Sequence, residues 1–344
     1  MKTIILLGGY GTRMRPHTWS RPKPLLKLAG NTVLGHILEK MSEVTRDQVI
    51  FVVGYKAEQI EEWVRAQYPQ IDSHFVLQQE PLGQAHAVWL CRDYLQDDDE
   101  MVLAFGDAII DADFDVLGRI TRAESGAAVE PVDSVFMVVE VDDPRGHGVV
   151  VLDEYGYVQR FIEKPQTTEH NMLVTGLNWF RHSRQLAAAV DMVIRENRQT
   201  LGEYFMADAY KVLLERGARI LTMPVLRWVD TGQPQNMLTA NARLLAVGYS
   251  TPEAIERSYA EDFTVLPPVY LHPSARVEAS VIGPYVTLEA GVTVKGSIIR
   301  NSVVDREAII ENCVLDGALI GEACQIRGRS RALFVGDNSV VDTV

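Results

Sequence analysis

Glycines and cations near the start of the chain have the types and the spacing that phosphate binding requires. A strand-like apolar run is followed by Gly8, Gly9, Gly11, Thr12 and Arg13. Glycines allow a tight turn and let bare backbone amides approach an anion. Ten residues after Arg13, Lys23 lies between two prolines, which fix the backbone that presents its side chain. This combination predicts a phosphate site from Gly8 to Lys23.

The charge distribution favours the same interpretation. Between Met1 and Leu38 there are six basic residues and no acidic one, although the whole chain has a formal charge of −13. We therefore expect a cationic patch within an acidic protein. Two common types of phosphate loop do not fit, because the third glycine of the dinucleotide fingerprint and the Gly-Lys-Ser/Thr of a Walker loop are both absent from this stretch.

Four further side chains have the chemistry of a nucleotide-handling site. Asp107 and Asp230 each follow an apolar, strand-like run, where open α/β sheets bind ligands. Mg²⁺ prefers carboxylate and phosphate oxygens, so the pair predicts a magnesium site. Glu163 and Lys164 are adjacent, and together they can accept hydrogen bonds from hydroxyls and attract a phosphate. Taken alone, however, Glu-Lys-Pro is also a common surface turn.

The elements that position these residues are predicted from hydrophobic periodicity. From Met1 to about Val247, short apolar runs such as 49–53 and 101–105 alternate with helical patterns. The alternation predicts an α/β fold with a Rossmann-like mixed, mostly parallel sheet and helices on both faces. Ligands are then expected at the carboxyl ends of the strands.

A different periodicity begins after about Tyr259. Aliphatic residues recur there at intervals of five or six, at Leu271, Val277, Ile282, Leu288, Val294, Ile299, Val304, Ile310, Leu315, Ile320 and Ile326. This spacing is typical of left-handed parallel β-helices built from hexapeptide repeats, in which one aliphatic side chain per short strand fills the interior. A segment of roughly 75 residues would form about four coils.

We therefore predict a catalytic domain over 1–245, a connector over 246–265 and a β-helix domain over 266–344. In the connector, Ser250 to Glu253 are expected to cap a short helix. The β-helix is expected to be structural, a stacking surface for a homo-oligomer. The alternative is an acyltransferase site between its coils, for which His272 is the only histidine available as a general base.

Composition limits the class of protein. The 344 residues are 47% hydrophobic and 23% charged, which predicts a globular protein large enough for two cores. The acidic balance argues against nucleic acid or an anionic membrane as the main partner. No apolar run reaches the roughly 18 residues that span a bilayer, and the first run is too short for a signal peptide. We expect a cytoplasmic protein, and three cysteines are too few for a disulfide framework or a zinc site.

Together, the loop from Gly8 to Arg13 and the Pro-Lys-Pro-Leu sequence around Lys23 resemble the signature of the sugar-1-phosphate nucleotidylyltransferases, or nucleotide-sugar pyrophosphorylases. The resemblance covers about 1–245, and long members of the family carry a fused β-helix. It implies transfer of a nucleotidyl group from an NTP to a sugar-1-phosphate, which gives an NDP-sugar and pyrophosphate, with Mg²⁺ as cofactor. The attacking phosphate oxygen is already an anion and needs no general base. Five histidines of this domain are therefore expected to be structural: His17, His36, His74, His86 and His147.

The resemblance also implies roles for individual residues. Catalysis and contact with the nucleotide phosphates are assigned to Arg13 and Lys23, and the metal to Asp107 and Asp230. The remaining nucleotide-binding positions are Gly8, Gly9, Gly11, Thr12, Gln78 and Gly83. The sugar-phosphate positions are Gly148, Glu163, Lys164, Thr175 and Gly176.

Some details depart from the family pattern or leave alternatives open. Leu7 stands where alanine is usual, and it would crowd the loop unless it points into the sheet. Gln79 follows Gln78, so either could read the base. Residues 80–83 and 232–234 also resemble mannose-1-phosphate guanylyltransferases, whereas 85–87 favour the thymidylyl type. The expected substrates are glucose-1-phosphate with dTTP or UTP, and mannose-1-phosphate with GTP is the alternative. A regulatory subunit without turnover is a further alternative, but it would be expected to lack one of the phosphate or metal residues.

Overall fold

The computed structural model describes residues 1–42, 47–122, 131–328 and 333–343. The chain folds into two compact units, which are Met1–Gly9 with Ile37–Trp228, and Tyr10–His36 with Val229–Val344. Both units are built from separate stretches of chain, so the predicted boundaries at 245 and 265 stay a prediction. Among the described residues, no helix is both long enough and apolar enough to cross a bilayer.

Strands and helices alternate from Met1 to about Val247, as predicted, and a further helix follows in the connector. The strands are β1 (Lys2–Leu6), β2 (Lys27–Leu28), β3 (Asn31–Thr32), β4 (Gln48–Val53), β5 (Asp72–Leu77), β6 (Met101–Phe105), β7 (Ala108–Asp111), β8 (Ser134–Glu140), β9 (Gly148–Leu152), β10 (Val158–Glu163), β11 (Met172–Phe180), β12 (Ile220–Pro224) and β13 (Arg227–Asp230). The helices are α1 (Val33–Lys40), α2 (Ala57–Gln67), α3 (Gln84–Leu90), α4 (Phe114–Arg122), α5 (Ser183–Arg195), α6 (Met206–Glu215), α7 (Pro234–Leu244) and α8 (Ala254–Ala260).

A nine-stranded mixed sheet forms the centre of the first unit. Its main path is β10-β9-β11-β6-β1-β4-β5, with β8 paired to β11 and β12 paired to β8. The neighbours β6, β1, β4 and β5 run parallel, whereas β11 is antiparallel to β6. Strands β1, β4 and β6 are buried apolar runs, as is typical of parallel strands inside a sheet, whereas β5 at the end of the path is only partly buried. Helices α3, α5 and α6 pack on one another and on this core. The mixed α/β sheet is confirmed.

The second periodicity forms a β-helix of three parallel sheets. Its strands are β14 (Phe263–Val265), β15 (Val269–Leu271), β16 (Arg276–Glu278), β17 (Ser280–Ile282), β18 (Val286–Leu288), β19 (Thr293–Lys295), β20 (Ile298–Arg300), β21 (Val303–Val304), β22 (Ile309–Glu311), β23 (Val314–Asp316), β24 (Leu319–Ile320), β25 (Gln325–Gly328), β26 (Phe334–Val335) and β27 (Val340–Thr343). The sheets are β14-β17-β20-β23, β15-β18-β21-β24-β26 and β16-β19-β22-β25-β27. This regular arrangement is that of the predicted left-handed β-helix.

Register between the coils places the aliphatic residues in columns. Leu271, Leu288, Val304 and Ile320 are successive partners in one sheet. All eleven predicted interior aliphatics are buried, none more than 7% exposed. Because one side chain per strand points inward, the spacing of five or six residues directly encodes the hydrophobic interior.

The connector differs from its prediction in one respect. The predicted short helix exists as α8, but no side chain caps its start. Instead, the Thr251 hydroxyl accepts a hydrogen bond from the backbone amide of Leu271, at 3.0 Å. A threonine hydroxyl can serve either a helix end or a neighbouring strand, and here it joins the connector to the β-helix.

Asn241 fastens α7 inside the second unit. Its side-chain oxygen accepts hydrogen bonds from the Ala29 amide at 3.1 Å and the Thr287 hydroxyl at 2.6 Å, and its amide donates to the Tyr285 carbonyl at 3.1 Å. The side chain is fully buried. The hairpin of β2 and β3, helix α7 and the β-helix therefore share one satisfied polar junction.

The inward alternation of the β-helix can be tested with neighbouring isoleucines. Ile310 is fully buried, whereas Ile309 on the same strand is only partly buried. We expect Ile310→Ala to lower the free energy of unfolding by about 2–5 kcal/mol, through lost transfer energy and a cavity. The matched control, Ile309→Ala, should cost about 1 kcal/mol or less. Urea unfolding followed by circular dichroism measures both, and equal losses would contradict the alternation.

Candidate functional site

The first half of the glycine-rich loop is closely packed within the first unit. A Cβ on Gly8 would lie 2.8 Å from Oε1 of Gln78, and a Cβ on Gly54 would lie 2.6 Å from the carbonyl oxygen of Gly8. Gly54 therefore requires glycine, because a side chain there would displace the loop backbone, whereas a side chain on Gly8 would displace the Gln78 amide. The structure brings Gly8 and Gln78 together, as their shared predicted role in nucleotide binding requires.

Leu7 does not crowd the loop, because its side chain is 3% exposed and points into the core. A Cβ on Gly106 would overlap Cδ2 of Leu7 and lie 2.8 Å from the carbonyl oxygen of Leu6. The Gly106 amide donates to that same carbonyl at 2.9 Å. Leu7 thus occupies the space that Gly106 leaves open, directly before Asp107. Asp107 is exposed in the turn between β6 and β7.

Gln78 is held in one orientation, which distinguishes it from its neighbour. Its amide nitrogen donates to the Gly83 carbonyl at 3.0 Å and lies 3.2 Å from Nδ1 of His86. Burial lowers the pKa of His86, so the neutral ring can accept the second bond at Nδ1. Gln78 is 8% exposed, whereas Gln79 is exposed. His86, which the sequence suggested was only structural, is therefore a neighbour of the candidate site.

Gly83 is required by the backbone at the start of α3. Its φ is +111°, and a Cβ would lie 2.5 Å from the Tyr204 carbonyl oxygen. The amide of Ala85 donates to the same carbonyl at 2.9 Å. This close approach fixes the position of the Gly83 carbonyl, which accepts the hydrogen bond from the Gln78 amide.

The predicted sugar-phosphate residues lie on adjacent strands of the first unit. Gly148 on β9 is the register partner of Glu163 on β10, and a Cβ on Gly148 would lie 3.0 Å from Oε2 of Glu163. Burial raises the pKa of Glu163, while the neighbouring Lys164 opposes that shift. Lys164 has a φ of +47°, and its Nζ lies 4.6 Å from the centre of the Phe205 ring. A lysine in this left-handed conformation is strained.

Thr175 and Gly176 lie on β11, beside β9. The Thr175 hydroxyl is buried and donates to the Met137 carbonyl at 3.0 Å. Gly176 has a φ of +85°, and a Cβ there would lie 2.7 Å from the Phe105 ring. The register of β11 against β8 shifts between Val174 and Asn178, so this pair forms an irregularity that re-aims the strand.

The second half of the loop belongs to the second unit. Gly11 has a φ of +62°, its carbonyl accepts a hydrogen bond from the Thr18 hydroxyl at 2.8 Å, and a Cβ would lie 3.3 Å from Cβ of Lys23. Thr12 begins a single 3₁₀ turn that ends at Met14. The structure therefore brings Gly11 and Lys23 into proximity, and Thr18 is a supporting residue that the sequence analysis did not identify.

Arg13 and Asp230 meet beside Gly232. A Cβ on Gly232 would lie 3.3 Å from a terminal guanidinium nitrogen of Arg13 and 3.0 Å from Oδ1 of Asp230. Oδ1 of Asp230 also accepts a hydrogen bond from the Gly232 amide at 2.8 Å, and the Asn236 side chain donates to Oδ2. These bonds fix the orientation of a carboxylate that is only partly buried. The described residues contain no group of three or more His, Cys, Asp or Glu side chains able to hold a metal ion.

The predicted cationic patch contains fewer uncompensated charges than the sequence indicated. Lys2 pairs with Asp97 at 2.9 Å and Asp99 at 3.2 Å. Two further cations, Arg21 and Lys27, pair with carboxylates of the β-helix. Three of the six basic residues before Leu38 therefore have acidic partners that local sequence could not reveal.

Comparison with known proteins places the chain in a family. The family model described as Nucleotidyl transferase matches residues 2–247. The chain belongs to this family. The likeness extends to individual relatives and to a solved structure.

Two relatives in the nucleotidyl transferase family are named for different activities. The chain is 30% identical over 247 residues to the UTP–glucose-1-phosphate uridylyltransferase AglF of Haloferax volcanii, a match that covers 71% of this chain and 96% of the relative. It is also 30% identical over 241 residues to the mannose-1-phosphate guanylyltransferase catalytic subunit beta of Drosophila pseudoobscura pseudoobscura, covering 69% of this chain and 61% of the relative. The nucleotidyl transferase fold is also shared with a crystal structure of a putative glucose-1-phosphate thymidylyltransferase from Bacillus anthracis. The TM-score is 0.60 with 23% identity, and the match covers 71% of this chain and 94% of the other.

The complementarity of Leu7 and Gly106 can be tested by a double-mutant cycle. We expect Gly106→Ala to lower the free energy of unfolding by about 1–3 kcal/mol, because the new methyl group overlaps Leu7 and crowds the Leu6 carbonyl. Adding Leu7→Ala should recover part of this loss beyond the sum of the single effects. Thermal unfolding measures the set. Gly146→Ala is the control, since a Cβ there has no neighbour within 4 Å; a similar loss in this control would contradict the steric explanation.

Proposed function

We propose that the protein transfers a nucleotidyl group from an NTP to a sugar-1-phosphate, giving an NDP-sugar and pyrophosphate. The observation that carries this proposal is the packing of the loop, where Oε1 of Gln78 lies against Gly8 and Cβ of Lys23 lies against Gly11. Membership of the nucleotidyl transferase family supports the same reaction class. Glucose-1-phosphate with dTTP or UTP is the pairing we favour, in keeping with the uridylyltransferase relative.

In this mechanism the protein positions two phosphates and neutralises charge. An oxygen of the sugar phosphate attacks the α-phosphorus of the NTP in line with the departing pyrophosphate. Arg13 and Lys23, together with the amides of the loop, stabilise charge on the triphosphate. Lys164 meets the sugar phosphate, and Glu163 accepts hydrogen bonds from sugar hydroxyls.

Asp107 and Asp230 are proposed to hold a divalent cation, for which Mg²⁺ is the expected ion. Their chemistry fits, because carboxylate oxygens are the ligands that Mg²⁺ uses alongside phosphates and water. The hydrogen bonds from Gly232 and Asn236 give Asp230 a fixed orientation for that purpose. When bound, the ion neutralises negative charge on the phosphate oxygens.

A pyrophosphate-release screen tests the proposal directly. Five nucleotides, dTTP, UTP, GTP, ATP and CTP, are paired with glucose-1-phosphate and mannose-1-phosphate. Turnover with glucose-1-phosphate and dTTP or UTP is expected. Turnover only with GTP and mannose-1-phosphate would instead select guanylyl transfer, which the Drosophila relative favours; no turnover in any pairing would contradict the proposed activity.

The two aspartates provide a prediction about the metal. Asp107→Ala and Asp230→Ala should each lower kcat by at least about 100-fold, because the transition-state charge loses a principal stabilising group. Pyrophosphate release in excess Mg²⁺ measures the effect, and circular dichroism checks folding. Asp115→Ala is the matched control, since Asp115 is an exposed residue of α4 and its loss should leave kcat unchanged. Full activity of either site variant would remove that aspartate from the metal site.

The adjacent glutamines provide a prediction about the base. Gln78→Ala should lower kcat/KM for the preferred NTP by about 10- to 100-fold, the loss expected when a base loses a fixed hydrogen-bonding partner. It should also reduce the preference among the nucleotides. Gln79→Ala is the control and should change neither quantity much. A larger effect at Gln79 would transfer the base-reading role to that residue.

A further inference from the structure

Arg21, which lies two residues before Lys23, forms ion pairs with carboxylates of the β-helix. Its side chain is 12% exposed. One terminal nitrogen donates to Oδ2 of Asp305 at 2.7 Å, the other donates to Glu322, and Nε lies 3.9 Å from Oδ2 of Asp337. Arg21 and the β-helix belong to the same compact unit.

The carboxylates come from successive coils of one sheet. Asp305 follows β21, Glu322 is the second residue after β24, and Asp337 is the second residue after β26. One coil earlier, Glu289 follows β18, and its Oε2 lies 4.0 Å from Nζ of Lys27. Stacked coils therefore present a column of acids to two cations of the segment 10–36. We call this set of four carboxylates the acidic column.

Three of the four side chains in the acidic column are largely buried, and that of Glu322 is partly exposed. Burial raises the pKa of Glu289 to about 7 and also raises the pKa of Asp305, which the neighbouring Arg21 opposes. A Cβ on Gly336 would lie 2.9 Å from Cβ of Pro16, so the β-helix backbone approaches the segment 10–36 directly. Removing one member of a buried ion pair leaves the other charge uncompensated, which is costly.

The backbone between Arg21 and Lys23 is conformationally restricted. Pro22 has a φ of −73°, and Pro24 follows Lys23 within the 3₁₀ turn. The amide of Leu25 donates to the Pro22 carbonyl, and the amide of Leu26 donates to the Lys23 carbonyl, both at 3.0 Å. Because proline fixes φ and restricts the residue before it, a shift of Arg21 would move Lys23 as well.

We propose that Arg21 is a positioning residue, through which the acidic column of the β-helix sets the placement of Lys23 for nucleotidyl transfer. This role rests on the proposed function. Through this contact the β-helix would influence the rate of the reaction within its own chain. If the pairing is purely structural, its loss should change only the stability of the protein. If Arg21 positions Lys23, the loss of the pairing should also lower kcat of the folded enzyme.

The test separates kcat from KM in folded protein. Arg21→Gln should lower kcat by about 10- to 100-fold, the range expected when a reacting group is misplaced by about 1 Å. KM for both substrates should change much less, since the binding residues remain. Arg21→Lys keeps the charge and should recover part of kcat. Arg306→Gln is the matched control, because Arg306 pairs with the same Glu322 at 2.7 Å but lies wholly on the β-helix and is 57% exposed; its kcat should stay at the wild-type value.

A second variant, outside the segment 10–36, tests the proposal even if Arg21→Gln does not fold. Glu322 is 25% exposed, and Glu322→Gln should lower kcat in the same direction. The double variant Arg21→Gln with Glu322→Gln should have a kcat no lower than that of Arg21→Gln alone, because the two substitutions remove the same interaction. Unchanged kcat in both single variants, or an equal loss in Arg306→Gln, would overturn the positioning role. An inactive wild-type protein would contradict the proposed function instead.

Discussion

The pairing of a largely buried guanidinium with β-helix carboxylates joins the segment 10–36 to the β-helix within the second unit. An arginine side chain stays charged throughout the pH range in which proteins fold, and a charge removed from water must be paired. Asp305, Glu322 and Asp337 supply that pairing for Arg21. The segment 10–36 therefore gains its compensation from residues almost 300 positions away in the chain. This explains why that segment belongs to the same compact unit as the β-helix rather than to the unit of its sequence neighbours.

The geometry of the β-helix supplies these carboxylates in the correct place. The aliphatic columns fix the register between coils, because a slip of one residue would turn every interior side chain outward. Glu289 and Asp305 occupy the same position after aligned strands. The repeat that fills the interior therefore also stacks the acids at one corner. Hydrophobic burial thus determines where an electrostatic contact can form.

The sequence predicted what is periodic or local, and it failed where partners are distant. The interior aliphatics and the strands before Asp107 and Asp230 follow from spacing, which is why they were recognised. The partner of Arg21 and the use of Thr251 by the β-helix left no local signal, since each depends on a residue elsewhere in the chain. The acids do recur at intervals of 15 to 17 residues from Glu289 to Asp337, a pattern with the period of one coil. Gln78 was identified by resemblance, but the ring of His86 that holds it was visible only in the structure.

Contacts of the β-helix favour a role in nucleotidyl transfer over a separate acyl transfer. A histidine that acts as a general base needs an unprotonated ring nitrogen directed at a substrate. A neutral ring whose Nδ1 accepts a hydrogen bond carries its proton on Nε2. His272 uses Nδ1 in a local turn, where it lies 2.8 Å from the Ser274 hydroxyl and accepts the Ser274 amide at 3.1 Å. The acidic column, by contrast, contacts Arg21 within the segment 10–36, two positions from Lys23. The most specific contacts of the β-helix are thus those with Arg21, next to the proposed phosphate-binding residue Lys23, and a function for the β-helix is better sought there than between its coils.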